Sequence, residues 1–277
     1  MINDVMVHLD GSREDEVRLA HGEALATAER ANLTGLYTNT LLDYALAVPM
    51  DAGAAVAQAL ADAEQEARAA GESTRERLEN RFARLDMANE VRMLQDTAGM
   101  LPTRATREAR CADLFVATRP YALNRDTEWV DLVQTVLFGS GRALLLVPPG
   151  THPQGEIRTV LVAWQDTREA ARALREALPI IERATRTVVV LVDPDTSRDP
   201  EAAVMRHLAR HTTRAEAVSI AAGERSTAEV LLEQARDVSA DLVVMGGYGH
   251  SRLTEWIMGG VTVDMLTFCP EPILMAH

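Results

Sequence analysis

The chain repeats itself. Asp4-Val-Met-Val-His-Leu-Asp-Gly-Ser-Arg-Glu14 aligns with Thr159-Val-Leu-Val-Ala-Trp-Gln-Asp-Thr-Arg-Glu169. Ala112-Asp-Leu-Phe-Val116 aligns with Ala240-Asp-Leu-Val-Val244, and Leu144-Leu-Leu-Val147 with Ile273-Leu-Met-Ala276. Even Thr-Glu-Trp recurs, at 127–129 and 254–256. The offset is 155 positions at the start of each half and 128 further on, so the first half carries 155 − 128 = 27 extra residues in its middle. A duplication on this scale requires two similar folded units within the 277 residues.

Within each half, short apolar runs alternate with longer helical patterns. In the second half, strands are predicted over 159–164, 187–192, 216–220, 241–245 and 273–276. Helices are predicted over 168–184, 200–211 and 226–238, the last opened by a Ser226-Thr-Ala-Glu229 capping box. Continuously apolar strands separated by helices mean a parallel sheet covered on both faces. The first half repeats this scheme, with a long alanine-rich helix near 52–84 holding the extra residues. The fold class is therefore α/β: two tandem doubly wound, Rossmann-like domains of five parallel strands, over 1–149 and 155–277. Val147-Pro-Pro-Gly-Thr-His-Pro153 is the linker. The last strand of each half is apolar, and an exposed apolar edge pairs. The two last strands are expected to pair with each other, antiparallel.

Apolar residues at 47 % and charged residues at 25 % match a globular composition. No apolar run approaches the roughly 18 residues of a membrane span. Acidic residues in the first positions argue against a signal peptide, so a cytoplasmic location is expected. A net charge of −13 argues against a nucleic-acid partner, which needs clustered cations. All 28 basic residues are arginine, so no P-loop, kinase or Schiff-base lysine exists. Cys111 and Cys269 read as reduced structural thiols.

Met245 to Thr262 reads MGGYGHSRLTEWIMGGVT, with five glycines directly after an apolar strand. In a doubly wound sheet, ligands bind outside the carboxyl ends of strands, where strand order reverses. Gly246-x2-Gly249 lets backbone N–H groups turn toward an anion, and Gly259-Gly260 precedes a helix predicted over 261–268. A helix amino terminus favours phosphate.

The spacing Gly246-x2-Gly249-x9-Gly259 resembles the G-x2-G-x9-G-[S/T] signature of the universal stress protein family. Val160-Leu-Val-Ala-Trp164, Ala240-Asp-Leu-Val-Val-Met245 and Pro272-Ile-Leu-Met support the resemblance, which spans nearly the whole chain as two copies. It implies five parallel strands per domain, ATP or a related adenine nucleotide with Mg²⁺, dimerisation through the last strand, and no catalysis. It places the nucleotide against Ala163, Gln165, Thr167, Val192, Met245, Gly246, Gly247, Gly249, His250, Ser251, Gly259, Gly260, Val261 and Thr262.

Two positions depart from the pattern. The hydroxyl residue after the third glycine is Gly260, with Thr262 two residues on as a substitute or a helix cap. The acidic residue ending the first strand is Gln165, whose amide still bonds a ribose hydroxyl. The first half keeps Asp10-Gly11-Ser12 but replaces the glycine loop with Ala117-Thr-Arg-Pro-Tyr-Ala-Leu-Asn124. Any nucleotide is therefore expected in the second half alone.

Other residues are set aside. His207 and His211 have helical ligand spacing but no third ligand, so no metal site is expected. Ser251 lacks a nucleophile context. Trp129 and Trp256 hold matching repeat positions and read as packing residues. Against the nucleotide reading stand a nucleotide-free scaffold, favoured by Gly260 and Gln165, and a slow ATP hydrolase with Asp166 holding the metal. An unidentified protein partner and a homodimer through the long first-half helix complete the expectations.

Overall fold

The structure, a computed structural model, describes residues 1–42, 54–121, 129–195, 197, 199–247 and 260–277. The first half supplies β1 (Asp4–Leu9), β2 (Asn32–Leu41), β3 (Asn89–Thr97), β4 (Leu114–Thr118) and β5 (Ala143–Val147). Between them run α1 (Glu14–Glu29), α2 (Ala54–Phe82), α3 (Leu101–Ala109) and α4 (Val130–Gly139). The second half supplies β6 (Thr159–Ala163), β7 (Arg186–Val192), β8 (Ala215–Ile220), β9 (Leu242–Gly246) and β10 (Ile273–Ala276). Its helices are α5 (Arg168–Arg183), α6 (Pro200–Leu208), α7 (Thr227–Asp237) and α8 (Val261–Phe268).

The ten strands among the described residues form one sheet in the order β3-β2-β1-β4-β5-β10-β9-β6-β7-β8. Pairing is parallel within each half and antiparallel at the join, where Ile273, Leu274 and Met275 face Leu146, Leu145 and Leu144. The two five-stranded sheets expected from the sequence are thus fused, through the strands expected to pair. Both join strands are fully buried, which is why each could be wholly apolar. The true edges are β3 and β8. Charged pairs cap them, Arg92 with Glu90 at 2.5 Å and Arg186 with Glu216 at 2.6 Å, which discourages further strand addition.

Alternate strand residues point to two core layers. One layer packs Val5, Val7 and Leu9 under α1 and α2, and Val160 and Val162 under α5 and α6. The other packs Met6 and Phe115 under α3 and α4, and Leu161 and Val243 under α7 and α8. The helices start where local chemistry says they should. Ser226 Oγ accepts from Glu229 N at 3.1 Å, and the Glu229 carboxylate accepts from Ser226 N at 2.7 Å, completing the capping box before α7.

The extra first-half length sits partly in α2, which runs 29 residues against 9 in α6. The linker lies along α1: Gly150 N donates to Glu14 at 2.9 Å and His21 Nε2 to the Thr151 carbonyl at 2.8 Å. Arg183 of α5 pairs with Glu29 of α1 at 3.0 Å, and Arg119 donates to the Cys269 carbonyl, so contacts cross the join on several elements. Among the described residues, no helix is long and apolar enough to cross a membrane.

Candidate functional site

Strand order reverses beside β1 in the first half and beside β6 in the second, which puts one ligand crevice at the β1/β4 ends and another at the β6/β9 ends. The registers match the two crevices position by position. Val5 of β1 lies beside Leu114, and Val160 of β6 lies beside Leu242. His8 therefore corresponds to Ala163, Asp10 to Gln165, Thr38 to Val192 and Thr118 to Gly246.

The first crevice is crowded with charge. Arg18, 1 % exposed, reaches from α1 to Asp10 and Asp15, each at 2.6 Å. Asp15 also accepts the backbone N–H groups of Asp10 and Gly11, each at 2.9 Å. Burial acts to raise the Asp10 pKa. The Arg18 charge, together with hydrogen bonds from Ser12 and Arg18, outweighs it and holds this carboxyl below the usual range. His8 is pushed down to about 3, by burial first and the Arg18 charge second, and is neutral. The Thr38 hydroxyl donates to the Leu9 carbonyl at 3.2 Å, so His8 Nε2 donates to Thr38 Oγ1 at 2.9 Å. Trp129 closes the top, its Nε1 donating to Asp10 Oδ2 at 2.6 Å.

The second crevice lacks all of this. At the positions of Asp15 and Arg18, α5 carries buried Ala170 and Ala173, and the strand ends carry Ala163, Val192 and Gly246. Gln165 and Asp166 are exposed just beyond β6. Thr167 caps α5, its hydroxyl accepting from Ala170 N at 3.3 Å. Met245 is buried in β9. The described part of this crevice thus offers a floor of Ala163, Val192 and Gly246 with the exposed Gln165 at its rim.

The glycines expected to face an anion fall into two groups. Gly249, His250, Ser251 and Gly259 lie outside the described residues, as does Trp256. Gly246 and Gly247 have a packing reason instead. A Cβ on Gly246 would sit 2.6 Å from Ala170 N, because α5 crosses directly over the end of β9. One on Gly247 would meet Met275 Sδ at 2.6 Å. The Gly247 N–H is donated to the Ala276 carbonyl at 2.9 Å, and its own carbonyl accepts from His277 Nδ1 at 3.0 Å. These two glycines serve the sheet and the helix above it. Gly260 is the N-cap of α8 and contributes no side-chain bond, with Val261 following it. Thr262, in the first turn of α8, is buried, 3 % exposed.

The remaining groups carry less. His207 and His211 have ring centroids 5.1 Å apart, and His211 Nδ1 bonds Glu182 at 2.9 Å. Among the described residues no group of three metal-ligating side chains forms, Asp166 included. Cys111 and Cys269 are free thiols, and burial pushes Cys269 up to about 12. A cleft of about 260 Å³ opens at the opposite, amino ends of β1 to β3. Its Arg92 is already paired with Glu90 and with Glu108 at 3.1 Å. The sequence pattern missed the Asp15–Arg18 pair. Its signal was two charges at i, i+3 beside Val17 and Leu19, on the face of α1 that turns inward.

A doubly wound α/β domain, duplicated and joined through its last strands, is the class this arrangement defines. Residues 156–277 match the sequence model of the universal stress protein family. The second half is thus similar in sequence to a universal stress protein domain, and the first half carries the same strand order with a different crevice. Over its full length the chain is similar to a universal stress protein from Archaeoglobus fulgidus, at 14 % identity and a TM-score of 0.72, covering 100 % of this chain and 98 % of that one. It is also similar to a putative universal stress protein from Pseudomonas aeruginosa, at 12 % identity and a TM-score of 0.59, covering 99 % and 93 %. A functionally unknown protein from Pseudomonas aeruginosa aligns at 14 % identity and a TM-score of 0.58, covering 99 % and 92 %. No curated protein sequence matches the chain.

Proposed function

We propose that the second domain binds one adenine nucleotide, ATP with Mg²⁺, and that occupancy changes how the chain meets a protein partner, without catalysis. The observation that carries this reading is the contrast between matched positions: His8, Asp10, Arg18 and Thr118 in the first crevice against Ala163, Gln165, Ala173 and Gly246 in the second. Gln165 holds a ribose hydroxyl, and the Gly249 and Gly259 turns with the start of α8 hold the phosphates. Bound, ATP supplies a rigid base and a polyanion whose charge the surrounding N–H groups offset. No residue is assigned a catalytic role: among the described residues no general base is fixed beside the crevice.

Denaturing the purified protein and identifying the released small molecules by mass spectrometry is the direct test. Calorimetry is expected to give no more than one site per chain. Gly249→Val is expected to abolish binding by blocking close approach of phosphate, while Tyr121→Val leaves it intact. Two equivalent sites would refute the proposal.

A nucleotide-free scaffold is the second reading, favoured by Gly260, which gives α8 no side-chain cap. If the unmodified protein binds nothing, Gln165→Asp with Gly260→Ser is the pair to test for regained binding. The exposed outer side of α2, with Val56 at its amino end, is the surface proposed for homodimerisation, to be tested by light scattering.

A further inference from the structure

The first crevice holds an occupant that belongs to the chain itself. Trp129 immediately precedes α4, the helix following β4, and its indole spans back to β1, across the crevice where strand order reverses. Its Nε1 is 2.6 Å from Asp10 Oδ2. His8, buried beneath, meets the ring edge-on at 4.8 Å between centroids and 75° between planes. The other oxygen of Asp10 accepts from Arg18 at 2.6 Å and from Ser12 N at 3.0 Å. The carboxylate that ends β1 therefore has both oxygens committed inside the domain. The backbone adjusts to put the ring there: Trp129 has φ 68° and ψ 12°, in the left-handed region that a bulky side chain rarely adopts.

We infer that Trp129 is a built-in occupant of the first crevice: its indole takes the place where a doubly wound sheet receives a planar ligand, and it closes that domain to outside ligands. The site it fills is selective for a flat bicyclic heterocycle with one N–H directed at Asp10. This inference concerns the first domain and stands whether or not the second domain takes nucleotide.

Trp129→Gly tests it, because glycine removes the ring and accepts positive φ. The probe is indole, with 1-methylindole as the analogue lacking the N–H. The variant is expected to gain saturable indole binding by calorimetry and an indole-dependent rise in Tm. 1-Methylindole should bind about tenfold more weakly, the loss of one buried hydrogen bond. The unmodified protein and Trp129→Phe, which keeps a ring in place, should show neither gain. A folded Trp129→Gly protein with no gain over the unmodified one overturns the inference. Should that variant not fold, the unmodified protein decides by amide and indole hydrogen exchange. The indole N–H that is lost in Trp129→Phe should be protected and should shift in Asp10→Asn, while that of the buried Trp164 stays in place. No indole resonance moved by Asp10→Asn would overturn the inference equally.

Discussion

The crevice at the ends of β1 and β4 is packed with an arginine, two carboxylates, a histidine and an indole, while the matching crevice at β6 and β9 is floored by methyl groups and a glycine. The backbones are nearly the same, since both halves order their strands alike and register them alike. The side chains at four or five positions decide which crevice has room. Duplication relaxes the demand on one copy, and the first copy holds a buried polar network in its crevice. Within that network Arg18 bonds both carboxylates through Nη2, while its buried Nε has no partner among the described residues.

The sharpest way to break the comparison is to remove Arg18. It is buried between two buried carboxylates, so Arg18→Ala leaves uncompensated negative charge and is expected to cost about 3–5 kcal/mol. Changing Asp10→Gln and Asp15→Ala as well installs the residues of the second crevice. That triple variant is expected to recover part of the loss, because the uncompensated charges are gone while the space Arg18 filled stays empty. Urea denaturation of both proteins checks it. A triple variant no more stable than the single one would mean the first crevice cannot be read as a filled version of the second.

The next effect lies on β9 and β4. Gly246→Val forces a side chain into α5 at Ala170 and is expected to destabilise by about 1–3 kcal/mol through overpacking. Thr118 occupies the matching position, and its hydroxyl is buried without a partner. Thr118→Val removes that unmet group at constant shape and is expected to be neutral or stabilising. Thermal melts of the two variants give opposite signs if the two crevices differ as described.

A smaller effect separates the halves by pH. His8 has a folded pKa of about 3 against an ordinary 6.5. Between those values the unfolded chain binds a proton that the folded chain refuses, so stability is present above pH 6.5 and falls as pH drops toward 3. The slope is about 1.4 kcal/mol per pH unit. Asp10, held below its usual range, adds a loss in the same direction that begins only below its ordinary value near 3.8. His8→Ala, which installs the Ala163 counterpart, is expected to flatten the dependence between pH 6.5 and about 4. Denaturation midpoints across that window measure it.

Much of the fold was legible because local rules carry it. The repeat, the apolar strands, the Ser226–Glu229 capping box and the antiparallel meeting of β5 with β10 all follow from pattern and from the need to bury two apolar edges. What was not legible depends on contacts distant in sequence. Asp15 and Arg18 look like solvated helix residues until β1 is placed beside them. Trp129 reads as packing, and it does pack, but its bond to Asp10 spans 119 positions. Gly246 and Gly247 read as ligand-facing because a glycine after a strand has two possible causes, and only the position of α5 and β10 selects one.

The smallest expected difference concerns how the two first helices begin. α5 starts with Thr167 in an extended conformation, its hydroxyl accepting from Ala170 N. α1 has no side-chain cap at Arg13; its entry is held by Asp15 accepting from Asp10 and Gly11, and by Ser12 Oγ accepting from Glu14 N at 3.2 Å. Thr167→Ala should therefore cost about 1 kcal/mol, the ordinary worth of an N-cap. Because the cap is an uncharged hydroxyl, that cost should be the same at pH 4.5 and pH 8. Asp15→Asn keeps one acceptor oxygen and turns the other into a donor. Burial raises the Asp15 pKa in spite of the Arg18 charge, so the parent gains stability there as pH falls. The substitution should therefore cost more at pH 4.5 than at pH 8. Hydrogen exchange at the first turn of each helix, compared at the two pH values, distinguishes the two kinds of entry. Equal pH dependence in both helices would show that the carboxylate of Asp15 does not act as the cap of α1.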